Sequence, residues 1–439
     1  MRTTAATTSP RRVAMASLIG TTIEWYDYFI YGLAAAMVFG PLFFPEFSSA
    51  AGTLAAFATF SVGFLSRPLG GIVMGHFGDK VGRKSMLVIS LMMMGIATVG
   101  IGLLPTYSAI GVWAPILLVT FRLIQGVGVG GEWGGAVLMA VEHAPARKRS
   151  FYGSFPQMGV PAGLILANLA FLGITAGISE EAFLAWGWRI PFLLSAALVV
   201  VGIVIRFSIT ESPDFEKMKR DKTEEKMPVI TVLKRNPKEV ALAAGTLIGI
   251  NAVSYIFMTY LLSYSTSVLD LPRTQILIFV LVASVAWLVV IPAASVVADR
   301  RGNRPVMLLG SVGMVIASLA LFPLVDTAIP ALILIALFCV AVVKGMVHGP
   351  LAALYADLFP AEIRYSGVSL AYQIGAILGG GFAPTIATGL YASFGSSVPI
   401  TMYLGLTTIV GLTCVYLIGR RRTPGAAAPA SAEKATLSA

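Results

Sequence analysis

Apolar residues fall in twelve long runs, near 16–40, 52–76, 85–104, 113–141, 151–175, 187–207, 239–266, 275–298, 306–324, 329–356, 365–392 and 399–418. A bilayer core takes about 20 mostly apolar residues per helix, so each run predicts one membrane span. Several runs carry internal Gly or Pro, which membrane helices tolerate when neighbouring helices re-satisfy the freed backbone groups. Six runs precede a charged gap at 208–238 and six follow it. The pattern therefore predicts an all-α integral membrane protein of twelve transmembrane helices in two six-helix pseudo-repeats. Its segments are a cytoplasmic N-terminus (1–15), a first bundle (16–207), a cytoplasmic central loop (208–238), a second bundle (239–418) and a disordered tail (419–439). No cleavable leader is expected, because the first run is too long and is interrupted by Glu24 and Asp27.

Composition agrees and excludes other classes. The chain is 57% apolar before its 45 glycines are counted and only 12% charged, where soluble domains reach about 25% charged. Mean hydropathy is +0.84. A water-soluble enzyme of this length would have nowhere to bury so much apolar side chain, and disordered chains are poor in it. The net charge of +10 is a matter of topology. With the N-terminus inside, 25 of the 31 Lys and Arg fall in inside segments and only Arg273 falls in an outside loop. The remaining five, Arg67, Arg122, Arg189, Arg206 and Lys344, lie within spans or at their ends. The positive-inside rule places both termini in the cytoplasm, and no nucleic-acid partner is expected. Cys339 and Cys414 lack metal or disulfide spacing and read as buried small hydrophobic side chains.

The halves repeat. Gly75-His-Phe-Gly-Asp79-Lys80-Val-Gly82-Arg83-Lys84 follows the second run, and Ser295-Val-Val-Ala-Asp299-Arg300-Arg-Gly302-Asn303-Arg304 follows the eighth, 220 positions on. Glu142 with Pro145-Ala-Arg-Lys-Arg149 is matched, 215 positions on, by Asp357 with Pro360-Ala-Glu-Ile-Arg364. Parallel repeats of this kind place a substrate site near the midplane between them. The chain resembles the major facilitator superfamily, and within it the metabolite:proton symporters that carry shikimate, 2-oxoglutarate, citrate and proline or betaine. The stretches carrying the resemblance are Glu24-Trp-Tyr-Asp27-Tyr-Phe, Arg67-Pro-Leu-Gly-Gly71, the 75–84 loop, Arg122-Leu-Ile-Gln-Gly, Gly130-Gly-Glu132-Trp-Gly-Gly135 and Trp186-Gly-Trp-Arg189-Ile-Pro. The second-half loop departs from the pattern at Ser295 and Asn303.

An ionisable side chain at the bilayer centre costs about 2.5–3.5 kcal/mol or more, so each one is a functional candidate. Glu24, Asp27, Tyr28 and Tyr31 share one face of the first span. Arg122, Gln125 and Glu132 form a stripe on the fourth, Asn251, Tyr255 and Thr259 on the seventh, and Lys344, His348 and Tyr355 on the tenth. These four spans open the four three-helix units, so their polar stripes point to one shared cavity, and the resemblance implies the same four helices line the path. Arg122 is the first candidate for a substrate carboxylate, with Lys344 and His348 completing a positive site and Gln125, Tyr28, Tyr31, Asn251 and Tyr255 lining it. Glu24, Asp27 and Glu132 are the proton-carrier candidates. Each charge also has a structural reading: Glu24 or Asp27 paired with Arg67 or Arg122, and His348 as an ordinary satisfied hydrogen-bonder. For Arg67, before Pro68, the structural reading leads.

Asp79, Arg83, Glu142 and Arg149, with Asp299, Arg304, Asp357 and Arg364, lie at inside helix ends and read as a cytoplasmic gate, which the resemblance supports. Residues 126–131 match a dinucleotide-binding glycine pattern, but within a membrane span the glycines at 126, 130 and 134 make a smooth face for helix contact instead. The chain has no nucleotide loop, metal cluster or catalytic constellation, so no cofactor or metal is expected and it does not read as an enzyme. The expected function is proton-coupled uptake of a small polar metabolite, a carboxylate of the shikimate kind, by a monomer using alternating access. The rivals are symport of proline or glycine betaine, for which Tyr28, Tyr31 and Trp133 would form an aromatic cage, and proton-coupled export.

Overall fold

The computed structural model describes residues 9–81, 83–130, 132–207, 228–360 and 363–418, without the side chains of 72, 74–87, 206–207 and 228–229. The expected tail and most of the central loop lie outside these residues, as do the side chains of Asp79 and Arg83. Within the central loop, Pro228–Arg235 forms a short helix.

All described secondary structure is helical. The long helices, in chain order, are α1 (Pro10–Phe43), α2 (Ser49–Val81), α3 (Arg83–Leu103), α4 (Trp113–Glu142), α5 (Arg149–Gly177) and α6 (Ile190–Phe207). Then come α7 (Pro237–Ser267), α8 (Arg273–Arg301), α9 (Asn303–Val325), α10 (Pro330–Leu358), α11 (Arg364–Phe394) and α12 (Val398–Ile418). Among the described residues eleven stretches are long and apolar enough to cross a membrane; α3 contributes a shorter apolar stretch, Val88–Leu103.

Large apolar side chains face outward while several charged ones are buried. Leu309, Ile316, Met402 and Leu406 are each about two-thirds exposed, while Glu24, Asp27, Arg67, Arg122, Glu132 and Lys344 are buried. That inversion is what a lipid solvent selects, since exposed apolar side chains cost nothing there. Cys339 follows the same rule and corrects the sequence reading: it is exposed, and Cys414 is half-buried. An apolar thiol on the rim of a membrane helix has no reason to be interior.

Helix packing repeats with the sequence. α1 lies on α5, α2 on α4 and α3 on α6; in the same way α7 lies on α11, α8 on α10 and α9 on α12. Small residues make these contacts possible. A Cβ on Gly159 or Gly163 of α5 would meet Thr21 at 2.6 Å or the Tyr26 backbone at 2.7 Å on α1. On α11 the same places, 216 positions later, are Gly375 and Gly379, which meet α7 backbone at 2.6 and 2.3 Å. A Cβ on Gly126 or Gly130 of α4 would lie 2.2 or 2.0 Å from α2 carbonyl oxygens. The glycine run in α4 is therefore a helix-crossing face, as its spacing predicts.

The two sets of six helices meet mainly where α5 crosses α8 and α10, and where α2 crosses α11. Turns of π-helix interrupt α1 at Ala35–Phe39, α7 at Ile256–Tyr260 and α11 at Ile377–Gly381. Such bulges often mark functional places in helices. Arg189 closes the end of α3, donating to the Gly102 and Leu104 carbonyls at 3.0 and 2.5 Å beside the buried Trp188. Terminal carbonyls are thus satisfied by a cation, the preferred charge at a helix C-terminus.

Candidate transport site

A narrow cavity lies between the two sets of helices. Trp25 of α1 and Gln157 and Val160 of α5 face Asn251, Ser254, Tyr255 and Met258 of α7, Lys344 and His348 of α10, and Tyr372 of α11. The residues the sequence proposes from α7 and α10 thus come together.

Lys344 is fully buried and its Nζ has no hydrogen-bond partner. The ammonium instead sits 3.3 Å above the centre of the Trp287 ring on α8. The His348 ring lies tilted against the same indole at 5.4 Å, and its Nδ1 has no hydrogen-bond partner. An indole face softens the cost of a buried cation but does not replace a counter-ion. The cavity wall thus holds a buried lysine Nζ and a buried imidazole Nδ1 to which no described residue gives a hydrogen bond. The polar part of the wall continues in Gln157, which accepts from Trp133 Nε1 at 3.1 Å.

Arg122 is not in this wall. Its guanidinium lies over the rings of Tyr28, Tyr31 and Phe60 at 4.1, 4.2 and 4.9 Å, with Nη1 donating to Gln125 Oε1 at 3.0 Å. Arg67 takes the neighbouring position, 4.6 Å from the centre of Tyr28 and 4.4 Å from that of Phe64. Both arginines are thus caged by aromatic rings inside the first six helices. The aromatic cage proposed from sequence is consequently not assembled: Tyr28 and Tyr31 cover Arg122, while Trp133 stacks on Tyr372 at 3.8 Å. Tyr31 donates to or accepts from Thr59 at 2.6 Å. Tyr28 meets Tyr255 edge-on at 6.2 Å, and Phe64 meets it at 5.1 Å, so this cluster forms one side of the cavity's surroundings. Thr259 closes against Gly32, and Tyr355 bonds to Thr246 at 2.5 Å and to the Ala243 carbonyl, which takes both away from the cavity.

Asp27 is buried, and neither oxygen meets an arginine. Oδ1 accepts from Ser195 of α6 at 2.5 Å and Oδ2 from Thr98 of α3 at 3.0 Å. Glu132 accepts from Ser90 of α3 at 3.4 Å, and Glu24 is buried on α1 near the cavity-lining Trp25. Sequence reasoning had missed Thr98, Ser90, Ser195 and Trp287 because it followed charges. A usable signal was present: Ser90 and Thr98 are the only polar residues of 88–103, and Ser195 is the only one of 190–205. A hydroxyl alone in an apolar span must find an acceptor: Thr98 and Ser195 reach Asp27, and Ser90 reaches the Gly128 carbonyl with Glu132 the longer contact.

Ion pairs tie the two sets of helices together at the end carrying Arg149. Arg149 donates to Asp357 at 2.7 Å, and Arg364 lies 3.6 Å from Glu142. Asp299 accepts from the backbone N–H groups of Ser150 and Phe151 at 2.9 and 3.0 Å, capping the start of α5 from another helix. A carboxylate there answers both orphan donors and the positive helix end. Asn303 accepts from the Ser150 hydroxyl at 2.7 Å. Arg304 has a buried Nε without a hydrogen-bond partner. At the opposite end Arg273 forms a two-pronged pair with Glu180, both contacts at 3.1 Å. Ion pairs thus join the two sets of helices at both ends.

Residues 17–377 match the Major Facilitator Superfamily, and the chain belongs to that family. It is 42% identical over 415 residues to the inner membrane metabolite transport protein YhjE of Escherichia coli (strain K12), covering 93% of this chain and 94% of that one. It is also 42% identical over 405 residues to the shikimate transporter of the same organism (90% and 91% covered), and 35% identical over 412 residues to its proline/betaine transporter (92% and 82%). The solved D-xylose-proton symporter superposes with a TM-score of 0.73 over 94% of this chain and 97% of that one, at 17% identity, a likeness of fold. The protein is a multi-pass inner-membrane transporter of this superfamily and not an enzyme.

Proposed function

We propose that the protein is a proton-coupled symporter that takes up a small organic acid by alternating access, with twelve spans, two six-helix bundles and cytoplasmic termini. The observation carrying this reading is Lys344: a fully buried ammonium on an indole face, unpartnered, beside a cavity whose other basic group is His348. A substrate carboxylate supplies the missing acceptors, and Asn251, Gln157 and Tyr255 offer hydrogen-bonding groups to a hydroxylated body. The relatives named for metabolite and shikimate transport support an acid. A betaine or proline would bring its own cation next to Lys344, and the rings that would cage it are occupied.

In the proposed cycle Asp27, Glu132 and Glu24 are the proton carriers. Arg122 and Gln125 act behind the cavity wall, holding Tyr28 and Tyr31, in place of direct substrate contact. The pairs Arg149–Asp357 and Arg364–Glu142, with the Asp299 cap, form the cytoplasmic gate; Asp79, Arg83 and Arg304 complete it in this reading.

Thermal melting of the purified full-length protein tests the substrate class. Shikimate, 2-oxoglutarate, citrate, an aromatic acid, proline and glycine betaine are each added in turn. The expected result is a rise in melting temperature with one acid, absent in Lys344→Gln. Stabilisation by betaine or proline alone contradicts the reading.

A further inference from the structure

Asp27 and Arg122 are both buried in the first six helices, yet they are joined only indirectly. Thr98 donates to Asp27 Oδ2 at 3.0 Å, Gln125 Nε2 donates to the Thr98 oxygen at 2.7 Å, and Arg122 Nη1 donates to Gln125 Oε1 at 3.0 Å. Arg122 then lies face-on against Tyr28, whose edge meets Tyr255 in the cavity wall. A continuous chain of contacts therefore runs from a carboxylate on one side of the first bundle to the cavity.

Thr98 is the one member whose bonding depends on the state of that carboxylate. Its hydroxyl carries a single hydrogen, but two acceptors stand within reach: Asp27 Oδ2 at 3.0 Å and its own helix's Met94 carbonyl at 2.8 Å. A charged acceptor makes the stronger hydrogen bond, so an ionised Asp27 holds the hydrogen. When Asp27 takes up a proton, its new O–H becomes a donor. The Thr98 hydrogen then turns to Met94, and the Thr98 oxygen accepts from both Asp27 and Gln125, which fills its two lone pairs. No other proton moves, but the Thr98 oxygen, no longer donating to a carboxylate and now shared between two donors, becomes a weaker acceptor for Gln125. Among the described residues, the ionisable groups meeting this network are Tyr26 on the same helix, whose hydroxyl donates to the Pro191 carbonyl at 2.8 Å, and Arg122 with Tyr28 and Tyr31 against it; α3 and α6 present to Asp27 the hydroxyls of Thr98 and Ser195.

We propose that Thr98 is a positioning residue of the proton-coupling step: its hydroxyl switches between Asp27 and Met94 and, through Gln125, conveys the protonation of Asp27 to Arg122 and the cavity wall. This rests on the reading of Asp27 as a proton carrier, so the first experiment needs no substrate. Acid–base infrared difference spectra of the purified protein in lipid are recorded for wild type, Asp27→Asn, Thr98→Val and Thr98→Ser. A protonated-carboxyl band that vanishes in Asp27→Asn identifies Asp27. The expected result is a higher C=O frequency in Thr98→Val, where the acid loses a partner, and the wild-type frequency in Thr98→Ser. No band lost in Asp27→Asn, or an unmoved band in Thr98→Val, overturns the proposal.

A second arm uses labelled shikimate as the probe. Thr98→Val is expected to lower pH-gradient-driven accumulation about ten-fold, the loss of roughly one charge-assisted hydrogen bond, while exchange across equal pH persists; Thr98→Ser restores accumulation. Equal loss of accumulation and exchange marks a merely structural role and overturns it. If wild type does not carry shikimate, the acid of the panel that stabilises it replaces shikimate as the probe, and the infrared arm decides the proposal in either case.

Discussion

Lys344 separates stability from function at the level of a single side chain. A buried ammonium without a counter-ion contributes little or nothing to folding, and replacing such a charge with an apolar side chain of similar volume is often neutral or stabilising. Lys344→Met is therefore expected to melt at or above the wild-type temperature. Its uptake of the acid should fall at least about thirty-fold, because the incoming carboxylate loses its charged partner. Uptake that survives in a well-folded Lys344→Met would remove the carboxylate from this position. Arg122→Ala should behave in the opposite sense. It empties the space between Tyr28, Tyr31 and Phe60 and strands Gln125 Oε1, so the folded protein should lose stability on the order of 2–4 kcal/mol. Unfolding in a denaturing detergent series would check this; an unchanged midpoint contradicts the caged-arginine account. From sequence alone Arg122 stood first for the substrate carboxylate, with Lys344 completing the site. Burial and aromatic neighbours, which no spacing along one helix reveals, distinguish them.

Among helices, glycine spacing sets how closely the elements approach. Gly126 and Gly130 let α4 lie against α2 carbonyls at distances where no Cβ fits. Gly130→Leu must push the helices apart or distort both, a penalty of about 1–3 kcal/mol or more. The expected outcome is loss of the monodisperse peak in size-exclusion chromatography. Gly173→Leu, where a Cβ meets nothing within 4 Å, should leave that peak intact. Equal behaviour of the two variants would sink the packing argument. The helices themselves were legible as apolar runs and their duplication as repeated loops, but which helix lies on which was not. The partners of Asp27 were not, because α3 and α6 are distant in sequence from α1 and each gives only one hydroxyl to it. The ion pairs Arg149–Asp357 and Arg364–Glu142 stood out as repeated acids and bases, although the spacing did not specify which acid meets which base.

Taken as a whole, the molecule carries ion pairs between its two sets of helices at both ends. Exposed pairs such as Arg149–Asp357 are worth about 0–1 kcal/mol singly, but a two-state molecule near balance responds to that much. Arg149→Glu places like charges together and should populate the form open at that end. Ala353, buried near Gly153 at this contact, provides the reporter. In a background lacking Cys339 and Cys414, Ala353→Cys should react with maleimide several-fold faster when Arg149→Glu is added, and Asp357→Arg should reverse the gain. No change in rate would mean that these charges do not hold the closed form.

External pH, followed in lightly buffered, de-energised cells while acids are pulsed one at a time, tests the central claim most directly. Proton symport of an organic acid predicts alkalinisation of the medium on one acid of the panel, absent in Lys344→Gln and in Asp27→Asn, with no signal from glycine betaine. Entry of labelled acid without alkalinisation, or alkalinisation by betaine that persists in Lys344→Gln, would contradict it.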